Sequence, residues 1–381
     1  MLLFEQNDTT WSLYQRYISL VISKEFAQQQ TGAVKVVTQQ DSEQANRRRE
    51  LLAVEERTNQ EKLIKEHGEQ HFQKQVMHQF FARVSIEINN EFDNKEHFFQ
   101  HFLRIEDAAP AILEILSLRA ASLNRITPLV KSLVWLSDEV VNLVNKPQYR
   151  KRADVKVSDP SLAINYIGLE NLKLVMPTYI LKHWLPHSTA PFSLMKRKLW
   201  NDSLSVALAA KALAQAQDSD WYTAFTAGML SNIGLLAVAR CFVNKHNEVY
   251  NREVRDAYDK RDKRLHDALL LVESSPDLLL EQLCTRSNQI GTDLVEQMNF
   301  DRLRITEPLF DLAFVNDPKK MTDIAQLVAK ARAYVAFRSL AKEELINNDE
   351  AKLLISSAKI TAADVALLKK SDIDHIKLNF S

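Results

Sequence analysis

WYTAFTAGMLSNIGLLAVARCF, residues 221–242, is the most apolar stretch of the chain, and the fold is read outward from it. Thr223, Thr226, Ser231, Asn232 and Arg240 interrupt the run. That is too much polarity for a bilayer span, so the stretch is expected to be a buried core helix. Gly228 and Gly234 lie inside it, and each costs about 1 kcal/mol relative to Ala in a helix interior. Close approach of a neighbouring helix explains both better than propensity does.

The rest of the composition agrees with an all-α fold. The 381 residues are 46% hydrophobic and 26% charged, which is ample for a core. Average usage would place about 27 glycines in such a chain; there are 6, with 10 prolines. Sheet proteins need Gly at turns and bulges, and the hairpin signals Asn-Gly and Asp-Gly do not occur. Lys+Arg and Asp+Glu balance at 49 each, so no global field supports a polyanion and nucleic acid is disfavoured as a partner. Cys241 and Cys284 provide neither a disulfide framework nor a metal knuckle. The N-terminus Met-Leu-Leu-Phe-Glu shows no secretory pattern, and the expected location is the cytoplasm, with no membrane partner.

Along the chain, Trp11, Leu13, Tyr14, Tyr17, Ile18, Val21, Ile22 and Phe26 recur at helical spacing and must pack on something. Residues 41–74 carry eight acids and seven bases, with pairs such as Glu43/Arg47 and Glu61/Lys65, and suggest a long solvated helix or hairpin. Aromatic and aliphatic residues return from Phe72 to Phe102 and are expected to form the core of the N-terminal region. Asp159-Pro160 is a helix start and Gly168 a helix stop. Thr361 and Asp364 have capping-box spacing.

LVWLSDEVVNLVNKPQYR (133–150), VSDPSLAINYIGLENLKLVM (157–176), LWNDSLSVALAAKALA (199–214), the 225–239 part of the opening segment, and SNQIGTDLVEQM (287–298) follow one another in an order that resembles the HDOD domain. That domain is an all-helical relative of the HD metal-dependent phosphohydrolases, found in bacterial signalling proteins. The resemblance implies an HD-like bundle over residues 105–345, with an N-terminal helical extension over 1–104 and a C-terminal helical tail over 346–381. HD enzymes need imidazoles and carboxylates converging on a divalent ion that activates water. The resemblance puts Asp202 at the position of the first family histidine, Ser231-Asn232 at the His-Asp pair, and Ser287 at the histidine four residues before Gly291. EPLFDLAFVND (307–317) lacks the downstream histidines. A hydroxyl and an amide are poor ligands for a hard cation, so no metal, cofactor or catalytic residue is expected here. Asp202, Ser231, Asn232 and Ser287 are expected to line what remains of the pocket, where a small ligand could bind without metal. Gly168, Gly228, Gly234 and Gly291 are expected to be structural.

Other candidates have plainer readings. His67/His71 and His97/His101 are spaced i,i+4, yet no third ligand motif accompanies them. His183 and His187 are expected at the surface. Arg47-Arg48-Arg49 is neutralised by the glutamates that follow it. Lys146, Arg150, Lys151, Arg152 and Lys156 form a denser basic loop that could meet an acidic partner. No phosphate loop, nucleophile elbow or Cys-x-x-Cys occurs. The sequence therefore favours a non-enzymatic regulatory module acting through protein contacts, possible homodimerisation through the N-terminal helices included. The alternatives are a divergent HD-type phosphohydrolase, using ligands such as His67 and His71, and a metal-free nucleotide-binding sensor.

Overall fold

A computed structural model describes residues 8–30, 53–150 and 156–380 of the chain. Among the described residues there is no strand. The helices in order are α1 (Asp8–Ile22), α2 (Lys24–Gln30), α3 (Ala53–Asp93), α4 (Lys95–His97), α5 (Ala108–Ser117), α6 (Leu123–Ser132), α7 (Val134–Val144), α8 (Pro160–Ile167) and α9 (Leu169–Trp184). They continue as α10 (Met195–Ala216), α11 (Trp221–Leu230), α12 (Ile233–Asp259), α13 (Lys263–Leu270), α14 (Pro276–Gln297), α15 (Thr306–Phe314), α16 (Asp323–Lys342), α17 (Asn348–Ser357) and α18 (Ala362–Lys370).

Local chemistry sets several of these ends. Asp159 accepts from the Ser161 N–H, Pro160 takes the first turn of α8, and Gly168 closes the helix at φ +73° with its N–H on the Ile164 carbonyl at 3.0 Å. Thr361 and Asp364 form the expected capping box of α18. Asn347 and Glu350 form a second one at α17.

The opening segment is two helices, not one. The Ser231 hydroxyl and N–H both turn back to the Gly228 carbonyl, at 2.8 and 3.4 Å, and Asn232 leaves the helical region at φ −106°, ψ 10°. A side chain that bonds nearby backbone competes with helix continuation, as Ser231 does here, while the Asn232 side chain is drawn away to Ser203 of α10. The break lets α11 pack on α10 and α16 while α12 packs on α14, α3 and α13. The run Trp221–Asp259 is long and apolar enough to cross a membrane, yet 89% of its most apolar window is buried inside the protein.

Both glycines of that segment sit at helix crossings. A Cβ on Gly228 would stand 2.8 Å from the Ala207 Cα of α10, and one on Gly234 would stand 1.8 Å from the Ser287 carbonyl oxygen of α14. Gly291 faces Gly234 across the same crossing.

The N-terminal helices are built into this core. α1 packs against α14, α17, α10 and α16, and buries Leu13, Tyr14, Ile18, Val21 and Ile22. α3 is a single helix of 41 residues, about 60 Å long at 1.5 Å per residue. Its stripe Val76, Phe80, Val84 and Ile88 is buried against α12, where Phe80 stands edge-on to His246 at 5.3 Å. The stripe expected to form a core of the N-terminal region therefore belongs to the common core. At the end of α3, Glu91 is nearly buried and takes Lys245 Nζ and His97 Nδ1, each at 2.8 Å. Those two partners hold its carboxyl below the ordinary range against the opposing effect of burial.

Candidate functional site

α10 carries Asp202, the α11–α12 break carries Ser231 and Asn232, and α14 carries Ser287. The crossing at Gly234 brings α12 against Ser287, and the crossing at Gly228 brings α11 against α10, so the break and both helices meet in one region. The four side chains nevertheless do not converge on a common point. Asp202 accepts a 2.7 Å hydrogen bond from the Tyr17 hydroxyl of α1. Asn232 donates to the Ser203 hydroxyl at 3.4 Å, and that hydroxyl donates in turn to the Leu199 carbonyl at 2.8 Å. Ser231 is bonded to its own helix. The Ser287 hydroxyl is buried without a partner among the described residues.

Two small cavities remain between these groups. One, of about 30 Å³, is lined by Ser231, Ser287 and Arg332 of α16. The other, of about 10 Å³, lies between Tyr14, Tyr17, Asn232 and Arg332. A water needs roughly 10–15 Å³, so they offer room for a water or two and no more. Tyr14, 1% exposed, and Tyr17 thus plug the place from outside the matching motifs, while Arg332 reaches both cavities. Burial drives the hydroxyl pKa of each tyrosine far up, and for Tyr17 the Asp202 charge adds to it, so both are neutral phenols. Desolvation also lifts the Asp202 carboxyl to about 6, against the pull of the Tyr17 hydrogen bond and the positive charges of Lys198 and Arg338.

These residues do not fit the divalent ion that the HD resemblance implies. The one carboxylate is engaged by a phenol, and among the described residues no three His, Cys, Asp or Glu side chains converge. His67 and His71 are exposed on α3, far along the chain from this region. His97 is taken by Glu91. His187 is exposed as expected, but His183 is half-buried, stacked on Trp135 with ring centroids 3.9 Å apart, and burial lowers its pKa. Arg150 donates to the Asn145 carbonyl, while Arg47-Arg48-Arg49, Lys151 and Arg152 lie outside the described residues.

Beside the plug a larger cleft opens, about 600 Å³, where Tyr17, Lys24, Lys198, Asp202, Arg338 and Asp374 meet. It joins α1 and α2 to α10, α16 and the segment after α18, three parts of the chain that sequence reading had kept apart. Tyr14, Tyr17 and Arg332 were missed because nothing local marks them. The only signal was the requirement that the amphipathic α1 pack on something.

Fold and site together describe an all-helical bundle in which Tyr14 and Tyr17 of α1 stand against Asn232. Residues 103–270 match the HDOD domain family. No curated protein matches. Among solved structures, the chain is similar to a proposed metal-dependent phosphohydrolase from Shewanella amazonensis SB2B, with 15% identity, TM-score 0.40, 75% of this chain and 100% of that one covered. It is similar to an HDOD domain protein of unknown function from Geobacter sulfurreducens, with 19% identity, TM-score 0.39, and 71% and 85% covered. A proposed signal transduction protein from Marinobacter aquaeolei VT8 gives 16% identity, TM-score 0.42, and 76% and 66% covered.

Proposed function

We propose that the protein is a non-enzymatic regulatory module of the bacterial cytoplasm that acts through contacts with a protein partner, a second copy of the chain included. The HDOD domain supports a regulatory role. The observation that carries the rest is the Tyr17–Asp202 hydrogen bond, which commits the one carboxylate at a ligand position to holding α1 in place. Loss of the HD ligands at Asp202, Ser231, Asn232 and Ser287 is part of the same reading. A scaffold that keeps its helix crossings while filling its pocket retains shape rather than chemistry.

The test has two arms on the full chain. Protein purified from its own cells at native expression is analysed for metal, and for hydrolysis of phosphomonoesters and phosphodiesters with Mn²⁺ or Fe²⁺ added. The same preparation is analysed for co-purifying proteins. A stoichiometric protein partner without turnover is the expected result. Near-stoichiometric metal with turnover abolished by Asp202→Asn overturns the reading.

A further inference from the structure

The 600 Å³ cleft beside the plug has the size of a small-ligand site. Its walls hold five cations, Lys24, Arg197, Lys198, Arg338 and Lys342, against three carboxylates. Two of the cations are matched: Lys24 pairs with Glu343 at 2.6 Å, and Arg338 pairs with Asp374. Arg197, Lys198 and Lys342 form no ion pair with any described residue. Lys198 is half-buried and donates only to the Leu20 carbonyl at 2.6 Å. The Asp202 and Glu343 carboxylates act on this ammonium without forming an ion pair with it, so an anion in the cleft would add a direct partner.

The cleft also contains a working oxyanion seat. The guanidinium of Arg338 donates to both oxygens of Asp374, at 2.9 and 2.6 Å, and the Ser205 hydroxyl adds a third bond to Oδ1 at 3.2 Å. Asp374 itself is exposed and belongs to the segment after α18. A fork of this kind fits a phosphoryl group as well as a carboxylate, and the phosphoryl group carries more charge and a third oxygen.

We propose that this cleft binds a small phosphorylated ligand, whose phosphoryl group takes the Arg338–Ser205 seat from the Asp374 carboxylate while Arg197, Lys198 and Lys342 meet its remaining charge. Asp374 is then an internal competitor, delivered at high local concentration by its own chain. This site borders the plugged region through Tyr17 and Asp202, needs no metal and leaves α1 where it is. It holds whether or not a protein partner is found.

The probe is inorganic pyrophosphate, titrated calorimetrically into the full-length protein at low ionic strength. Arg338→Gln is expected to weaken binding about tenfold or more, as loss of a charge-assisted pair does. The pair Arg197→Gln and Lys342→Gln, both at exposed positions, is expected to weaken it also. Asp374→Asn is expected to tighten it several-fold, a gain that damage to the fold cannot mimic. Lys319→Gln with Lys320→Gln, exposed and outside the cleft, is expected to leave it unchanged. Absence of binding at millimolar pyrophosphate overturns the proposal. So does affinity that ignores Arg338→Gln, or that fails to rise with Asp374→Asn.

Discussion

Gly234→Ala tests the packing argument most sharply, because propensity and sterics predict opposite signs. Gly234 is the second residue of α12, and helix propensity alone makes the substitution stabilising by at most about 1 kcal/mol, the figure for a helix interior. The structure places the new Cβ 1.8 Å from the Ser287 carbonyl oxygen, 2.8 Å from its carbon and 3.0 Å from the Gly291 nitrogen, all of them backbone. No side chain can rotate away, so α12 and α14 must separate by about 1 Å or more along a crossing that carries much of the core. Overpacking costs about 1–3 kcal/mol in ordinary cores and more where the obstacle is rigid. The upper end applies here, and net of propensity the expected loss is about 2–3 kcal/mol. At about 2.1 cal/mol/K of unfolding entropy per residue, the 381 residues give roughly 1–2 °C per kcal/mol, so Tm falls by about 2–5 °C. Two relatives calibrate the series. Gly68→Ala in α3 meets nothing within 4 Å and is expected to raise Tm slightly; Gly291→Ala meets its nearest atoms at 3.4 Å, an ordinary contact, and is expected to be close to neutral. Thermal melts of the three variants beside the parent read the order directly. A Gly234→Ala protein as stable as the parent, or one less affected than Gly291→Ala, would refute the reasoning.

The remaining predictions concern charge and the N-terminal helix. The carboxyl of Asp202 titrates near 6 in the fold against 3.8 unperturbed, so its ionised form opposes folding. That cost is absent below 3.8, grows between 3.8 and 6 and is complete above 6. Asp202→Asn, which keeps an acceptor for Tyr17, should therefore gain stability over the parent at pH 8 and none at pH 3.5; a pH-independent difference in urea midpoints would count against this. Glu91 is shifted the other way, so its contribution is present above 4.5 and lost as pH falls through its depressed folded pKa. Glu91→Gln should cost about 1–3 kcal/mol at pH 7, with the gap closing in acid, again read from urea midpoints. Tyr14→Ala should cost about 3–5 kcal/mol, as for other large buried aromatics, and a melt unchanged by it would show that α1 is not part of the core.

Much of the fold was legible because its causes are local. Scarce Gly and Pro, the cap at Asp159, the stop at Gly168 and the box at Thr361 act within a turn of themselves, and the structure repeats them. The glycine crossings were legible because Gly inside an apolar helix is costly unless something approaches. The break at Ser231-Asn232 was not, since the apolar pattern runs on through it on both sides and the two polar side chains were assigned to the pocket. The site was legible only as positions. The resemblance picked out Asp202, Ser231, Asn232 and Ser287, but what each one bonds depends on Tyr17, which lies 185 residues away in sequence from Asp202. His183 illustrates the same limit: its stack on Trp135 joins two helices that no periodicity connects.

The plug also sets an energy scale for any reading that reopens the pocket. A ligand or metal reaching Asp202 from the side of Ser287 and Asn232 has to displace Tyr17, and with it α1. That exposes Leu13, Tyr14, Ile18 and Ile22, each between 0% and 1% exposed in the fold. At about 1.5–3 kcal/mol for each large apolar side chain returned to water, the opening costs roughly 6–12 kcal/mol before the lost hydrogen bond is counted. That rivals the whole stability of an ordinary domain, about 5–15 kcal/mol. A small molecule would need an intrinsic Kd between about 40 μM and about 2 nM merely to offset it. A protein that covers the seat of α1, or the α1 surface itself, regains apolar burial of the same kind as it binds. The cleft on Arg338 requires no opening at all. The two proposals therefore occupy the two routes that this arrangement leaves inexpensive: a protein surface that trades one apolar contact for another, and an anion that trades one oxyanion for another.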